Sequence, residues 1–239
     1  MLTLAVPTYE ERGNIEPLVQ RIEAALHDAP FELIVVDDAS RDGTAAEVRR
    51  LQAGRPWLRL LERHGSRDLS SAVVEAWQAG SGDILGCMDA DLQHPPELLP
   101  AMLQRLRTAS AAMVVASRYA PGGTVGNWRP SRHLVSRLTT RTAALLLPEA
   151  LHGITDPMSG YFLVRRDAAG LERLQPRGYK ILLEVLARAR PRPVVDVPFT
   201  FGRRASGTSK ADWRVSLQFL QQVAALRGLQ EARDTVTNG

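Results

Sequence analysis

Over residues 1–117, short apolar runs alternate with stretches of helical period, and this alternation restricts the fold more than any other feature. The runs cover residues 2–6, 31–36, 57–61, 84–88 and 112–117. The fourth, residues 84–88, is an apolar run that reads as a buried strand. Between the first two, Ile15, Leu18, Val19, Ile22 and Leu26 recur at the spacing of one helical face. Asn14 is placed as the N-cap of that helix. Thr44 and Glu47 have capping-box spacing for the next, and Asp68 is placed to cap a third that runs to about residue 79. Pro96 can open a helix over residues 97–107. The order βαβαβαβαβ predicts an α/β fold with a doubly wound, mainly parallel sheet and helices on both faces. At 239 residues the chain can form one large domain or two small ones.

In such a sheet, ligands bind beyond the carboxyl ends of the strands. The fourth run ends in Asp89-Ala90-Asp91-Leu92-Gln93-His94-Pro95-Pro96. Two carboxylates and an amide are hard oxygen ligands, suited to Mg2+ or Mn2+ that keeps waters and meets phosphate oxygens. Taken alone, the same pattern is also that of a solvated acidic turn. The first run leads into Pro7-Thr8-Tyr9-Glu10-Glu11 and the second into Asp37-Asp38. A dinucleotide site would need G-x-G-x-x-G after the first strand, and Pro-Thr-Tyr-Glu-Glu-Arg stands there instead. An aspartyl-phosphate phosphatase is excluded too, because no later acidic pair completes its metal site. His64 and His94 are read as structural.

The charge is divided along the chain. Residues 1–100 carry a net charge of −8 and residues 101–239 a net charge of +12. The acidic half suits a cation; the basic half suits phosphate, anionic headgroups or nucleic acid. Its cations are nearly all arginine, with Lys180 and Lys210 the two lysines of the whole chain. The second half reads as a Gly-rich loop over 120–128, a helix over 131–147 with a basic side (Arg132, His133, Arg137, Arg141), and a strand over 161–164. A helix over 181–189, a strand over 194–198 and a polar loop over 199–210 follow. From Trp213 to about residue 229 an amphipathic helix is expected. Composition favours packing it on the core; a membrane surface is the other reading. No stretch reaches the roughly 18–20 apolar residues of a membrane span. No signal peptide is read at the N-terminus, and the single cysteine, Cys87, fits a small core residue in a reducing compartment.

Seven stretches in order resemble the inverting family-2 glycosyltransferases of GT-A fold, and most of all the dolichyl- or polyprenyl-phosphate mannose synthases. They are residues 6–15, 36–44, 89–95, 117–119, 156–160, 178–184 and 197–210. The resemblance implies a single GT-A domain over 1–212, with a nucleotide-sugar and metal half (1–117) and an acceptor half (118–212), followed by the helix and tail at 213–239. It implies that Pro7, Tyr9, Glu11 and Asp38 line the base and ribose pocket. It implies that Asp89, Asp91 and Gln93 hold the metal and the donor diphosphate, with Ala90 between them. Arg118 and Arg132 would bind the acceptor phosphate, Lys180 and Glu184 would face the donor sugar, and Arg204, Ser209 and Lys210 would close the phosphate site. Asp91, Arg118, Arg204 and Lys210 are the residues expected to carry catalysis. Gly207-Thr208-Ser209-Lys210 departs from the usual Gly-Glu-Ser-Lys, and Asp68-Leu-Ser-Ser from a Gly-Leu-Gly run.

A phosphate monoester has a second pKa of about 6, so a lipid monophosphate is already a nucleophile near neutral pH and needs no general base. Arginine forks then only have to position it, which fits a basic second half without an evident His or Glu base. The expected reaction moves mannose from GDP-mannose to polyprenyl or dolichyl phosphate. The expected place is the cytoplasmic face of a membrane, peripherally held, with a separate membrane subunit as a possible partner. UDP-glucose or another nucleotide sugar, or a non-lipid acceptor, is the alternative. From another class, a pI near 9.7 suggests a non-catalytic anion- or nucleic-acid-binding protein. Few aromatics and an acidic first half argue against nucleic acid.

Overall fold

A computed structural model of the chain describes residues 1–65, 67–126, 130–202, 219 and 221–229. In chain order the elements are β1 (Leu2–Thr8), α1 (Arg12–Ala25), β2 (Phe31–Asp37), α2 (Thr44–Gln52), β3 (Leu58–Glu62), α3 (Leu69–Ala79) and β4 (Ile84–Cys87). A 3-10 turn, Pro96–Leu98, leads into α4 (Leu99–Thr108) and β5 (Met113–Ser117). Then come α5 (Pro130–Leu146), α6 (Pro148–Leu151), β6 (Phe162–Arg165), α7 (Arg166–Ala169), α8 (Ile181–Arg188) and β7 (Val194–Pro198). Residues 221–229 form a last helix, α9.

The strands make one sheet in the order β3-β2-β1-β4-β6-β5-β7. All are parallel except β6, which runs against both β4 and β5. The chain steps outward from β1 to β2 and β3, then returns to place β4 on β1's other side. That reversal leaves a crevice beyond the carboxyl ends of β1, β2 and β4, which in this class of sheet is where ligands bind. The register sets Thr8 beside Asp37.

Side-chain alternation along the strands explains the two cores. Leu2, Leu4 and Val6 of β1 and Leu33 and Val35 of β2 pack with α1, α2 and α4 on one face. Ala5, Ile34 and Val36 pack on the other with α3, α5, α6 and α8. Gly86 in β4 has no room for a side chain, since a Cβ there would lie 2.8 Å from Leu163 and 2.9 Å from Leu4. Phe219, Val223 and Leu226 of the C-terminal segment are buried in the second core. The described part of the tail helix therefore packs as core, and of its two expected readings the membrane-facing one does not hold for these side chains. Among the described residues no helix is long and apolar enough to cross a membrane.

Two caps differ from expectation. α1 begins at Arg12 after Glu11, and Asn14 lies inside its first turn, buried, donating to Glu11 Oε2 at 2.6 Å. α2 begins at Thr44 after Gly43, whose φ of 91° makes the turn. Thr44 turns to Asp42, and Glu47 pairs with Arg50 instead of closing a capping box. The Asp68 cap is present: Oδ1 accepts the Ser71 N–H at 2.8 Å.

Candidate active site

At the ends of β1 and β2 a carboxylate network fixes the backbone. Asp37, buried, accepts the Ser40 N–H at 3.0 Å, the Ser40 hydroxyl at 2.6 Å and the Thr8 hydroxyl at 3.2 Å. Ser40 Oγ in turn accepts the Glu10 N–H at 2.8 Å. One step further, Asp42 accepts the Thr44 hydroxyl and N–H and the Arg12 N–H, and Thr44 Oγ1 accepts the Glu11 N–H at 3.0 Å. These bonds hold the segment after β1 against the segment after β2. They also hold Glu10 at φ 54° and Ala39 at φ 55°. A third non-glycine residue in the left-handed region, Leu92 at φ 62°, lies in the loop after β4. Such conformations persist only where the surroundings determine them, and here each lies just past the end of one of the three strands around the crevice.

Of the residues expected to line the base and ribose, Pro7 lies within β1 and is half-buried. Glu11 holds Asn14. Asp38 is tied to Arg63, Oδ1 to Nη1 at 2.7 Å. Burial raises the Asp38 pKa, with the Arg63 guanidinium acting against that rise. Arg63 also bonds Glu75 and the Asp68 carbonyl. Tyr9 carries a guanidinium on its ring, the Arg67 Cζ 3.7 Å from the centroid.

The loop after β4 is braced by an imidazole. The Asp89 N–H donates to His94 Nδ1 at 3.1 Å. His94 is stacked on Tyr161, 5.2 Å between centroids, and flanked edge-on by Phe199 and Phe201. Burial pushes its pKa down to about 4, so near neutral pH it is uncharged and can accept through Nδ1. The structural reading of His94 thus stands. The Tyr161 hydroxyl donates to the Pro95 carbonyl at 3.0 Å. Within the loop Asp91 Oδ1 accepts the Gln93 N–H at 3.1 Å, and Ala90 is buried. The Gln93 amide donates to the Gly202 carbonyl at 3.0 Å while the Gly202 N–H donates back to the Gln93 carbonyl at 2.9 Å. This pair of hydrogen bonds fastens the loop to Gly202.

The donor set suits a hard divalent cation. Asp89's side chain is 37% exposed. It faces Gly160, where a Cβ would stand 3.2 Å from Oδ1, so an added methyl there would press on this carboxylate. Among the described residues no three acidic, His or Cys side chains converge. Two carboxylates and an amide, the remaining positions going to water and phosphate, is the style of Mg2+ or Mn2+ in phosphate sites.

Arg118 follows β5 and forks onto Asp156. Nε and Nη2 reach its two oxygens at 2.7 and 2.8 Å, and the Arg118 N–H adds a third bond at 3.1 Å. Asp156 is fully buried. Burial opposes the Arg118 charge, but the bonds to Asp156 outweigh it and raise its pKa. Lys180 precedes α8, and its ammonium donates to the Met158 carbonyl at 3.3 Å. Glu184 is buried on α8, where its carboxylate accepts the Gln175 N–H and binds Arg188. Arg132 lies on α5 with its side chain outside the described residues, as are Arg204, Ser209 and Lys210 entirely. The structure thus sets Tyr9, Asp38 and the Asp89–Gln93 loop past the carboxyl ends of β1, β2 and β4, and Arg118 past the end of β5. Asp37, Arg67 and Gly160 were not singled out as site residues from the sequence. Asp37 alone carried a readable signal, as an acidic residue at a strand's carboxyl end.

Comparison with known proteins bears on these positions. The profile of "Glycosyl transferase family 2" matches residues 3–170. A dolichol-phosphate mannosyltransferase of Saccharomyces cerevisiae is 39% identical, covering 94% of this chain and 86% of its own. One from Pyrococcus furiosus is 38% identical over 94% of this chain, which spans 63% of that protein's length. An undecaprenyl-phosphate mannosyltransferase of Micrococcus luteus is 34% identical, covering 86% and 85%. Among solved structures, glucosyl-3-phosphoglycerate synthase of Mycobacterium tuberculosis, in complex with Mn2+, UDP-glucose and phosphoglyceric acid, superposes with a TM-score of 0.72 at 21% identity. That match covers 95% of this chain and 80% of the other.

Proposed function

The chain belongs to glycosyl transferase family 2 and has the GT-A fold, and from that premise we propose that it transfers mannose from GDP-mannose to a polyprenyl monophosphate such as dolichyl phosphate, with inversion at the sugar carbon. The observation that carries this reading is the likeness over nearly the whole chain to mannosyltransferases that are named for polyprenyl phosphates. Family membership sets aside the non-catalytic reading.

Asp89, Asp91 and Gln93 would hold Mg2+ or Mn2+, which when bound neutralises charge on the departing nucleoside diphosphate. The chain's own residues do the rest. The knot of Asp37, Ser40 and Glu10 keeps the nucleotide edge rigid before the donor arrives, so little ordering remains at the moment of reaction. His94, neutral, keeps the Asp89 backbone in place without adding a competing positive charge. On the other side Arg118 is held by Asp156 so that its guanidinium does not wander. A phosphate monoester, doubly ionised above pH about 6, would meet the guanidinium on the side turned away from Asp156. It would attack the sugar from the face opposite the leaving group, and no base is required. Arg132, Arg204, Ser209 and Lys210 would add cationic and hydroxyl contacts to the two phosphates. Lys180 and Glu184 would border the sugar, Lys180 directly and Glu184 through the position of α8. The acceptor's lipid tail places the protein at the cytoplasmic face of a membrane, held peripherally or through a membrane subunit.

The test is an Asp91→Asn variant assayed with labelled GDP-mannose and a short-chain polyprenyl phosphate, alongside UDP-glucose as competing donor. Loss of transfer by at least 100-fold with an unchanged circular dichroism spectrum is expected. Undiminished transfer would refute the assigned site, and glucose rather than mannose in the lipid would refute the donor.

A further inference from the structure

Arg67 has no part in the chemistry above, yet it occupies a particular place. It lies in the loop between β3 and α3 and is exposed, and its Cζ stands 3.7 Å over the ring of half-buried Tyr9. That lies well within the range of a cation held over an aromatic face. The backbone beside Tyr9 is anchored: the Glu10 N–H donates to Ser40 Oγ at 2.8 Å. The neighbouring arginine of the same loop, Arg63, is committed to Asp38 and Glu75, whereas among the described residues no carboxylate forms an ion pair with Arg67. So a planar cation, with no described acid in an ion pair with it, stands over an aromatic ring just past the end of β1.

We propose that Arg67 lies flat on the Tyr9 ring and selects the donor's nucleobase by a two-point bond to the O6 and N7 edge of guanine. The inference rests on the nucleotide-site reading of this edge given above. A guanidinium stacked on a ring points its N–H groups outward in its own plane. A base lying beside it, coplanar, meets them with its edge. Guanine presents two adjacent acceptors, O6 and N7, which match the arginine fork. Uracil presents a single carbonyl on the corresponding edge, and adenine replaces O6 by an amino donor that would face another donor. Lysine, a point charge without a plane, cannot reproduce the two-point contact. Arg67 is a specificity-determining residue in this account and does not take part in the transfer step.

The experiment is isothermal titration of the full chain with GDP, UDP and 7-deaza-GDP in Mg2+, for the wild type, Arg67→Ala and Arg67→Lys. The wild type is expected to bind GDP about tenfold or more tightly than UDP and than 7-deaza-GDP, which lacks the N7 acceptor. Both variants are expected to lose about tenfold for GDP, to keep UDP within twofold, and to bind GDP and 7-deaza-GDP alike. Equal losses for GDP and UDP would assign Arg67 to the diphosphate and overturn the proposal, as would unchanged GDP affinity in the variants. A wild type that prefers UDP overturns it while leaving the glycosyltransferase reading intact. A wild type that binds neither nucleotide overturns both.

Discussion

Asp156 bears the clearest burden among single residues, because it is fully buried and receives three bonds from Arg118. Removing it leaves a guanidinium buried without its partner, a loss of about 3–5 kcal/mol. Asp156→Ala should therefore lower the urea midpoint by that equivalent; a midpoint unchanged from wild type would show that Arg118 does not depend on the pair. Gly160 is a test of the opposite kind. Its missing Cβ leaves the space beside Asp89, so Gly160→Ala should cut transfer at least tenfold while shifting the melting temperature little. A variant with normal transfer would remove Gly160 from the site. Arg118 was legible in the sequence as a cation just past a strand. Its partner, 38 residues away, was named only as part of a resembling motif, because the pairing is made by the return of β6 antiparallel to β5, which no local pattern records.

At the scale of elements, each of the seven strands among the described residues overlaps a strand read from the sequence; β1, β2 and β4 inside the sheet are buried nearly throughout, whereas the edge strand β3 carries the exposed Arg59 and Glu62. The caps at Asn14 and Thr44 were misread for a shared physical reason. Each polar side chain had a better partner than its own helix end: Glu11 for Asn14, and Asp42 for Thr44. The turns after the strands carry strain that can be measured. Ala39 is exposed at φ 55°. Ala39→Gly should raise unfolding free energy by up to about 1 kcal/mol, because glycine enters this region without steric cost. Ala39→Val should lower it. The reverse order would mean that the turn is not held where the structure has it. At the opposite end of the sheet, Glu32 accepts the Thr3 hydroxyl at 2.8 Å, the Ser81 N–H at 2.6 Å and Arg59 at 2.8 Å. Burial works to raise its pKa, and these donors together bring it below the ordinary 4.5. A carboxylate with a depressed pKa contributes its full stabilisation above its unfolded value and loses it as pH falls through the folded one. Stability should thus fall below about pH 4.5, and Glu32→Gln should show a smaller fall over the same acid range in urea titrations. Equal slopes would contradict the role given to these bonds.

For the molecule as a whole, the division of charge read from the sequence follows the fold. The acidic first hundred residues supply β1 to β4 and the segments that follow them, and the basic remainder supplies β5 to β7 and Arg118. The tail helix had two readings beforehand, a core face, which composition favours, and a membrane face, because an amphipathic stripe can serve as either. The burial of Phe219, Val223 and Leu226 decides it for the described part. What joins these features is the claim that a sugar held at the acidic edge is passed to a phosphate held at the basic one. The most direct measurement is the partition of radiolabel after incubating the protein with GDP-[14C]mannose and a short-chain polyprenyl phosphate, with Mg2+ or Mn2+ and with EDTA. The account predicts label in the organic phase with either or both metals and none with EDTA. Label that stays in the aqueous phase with metal present, or that moves equally well in EDTA, would contradict it.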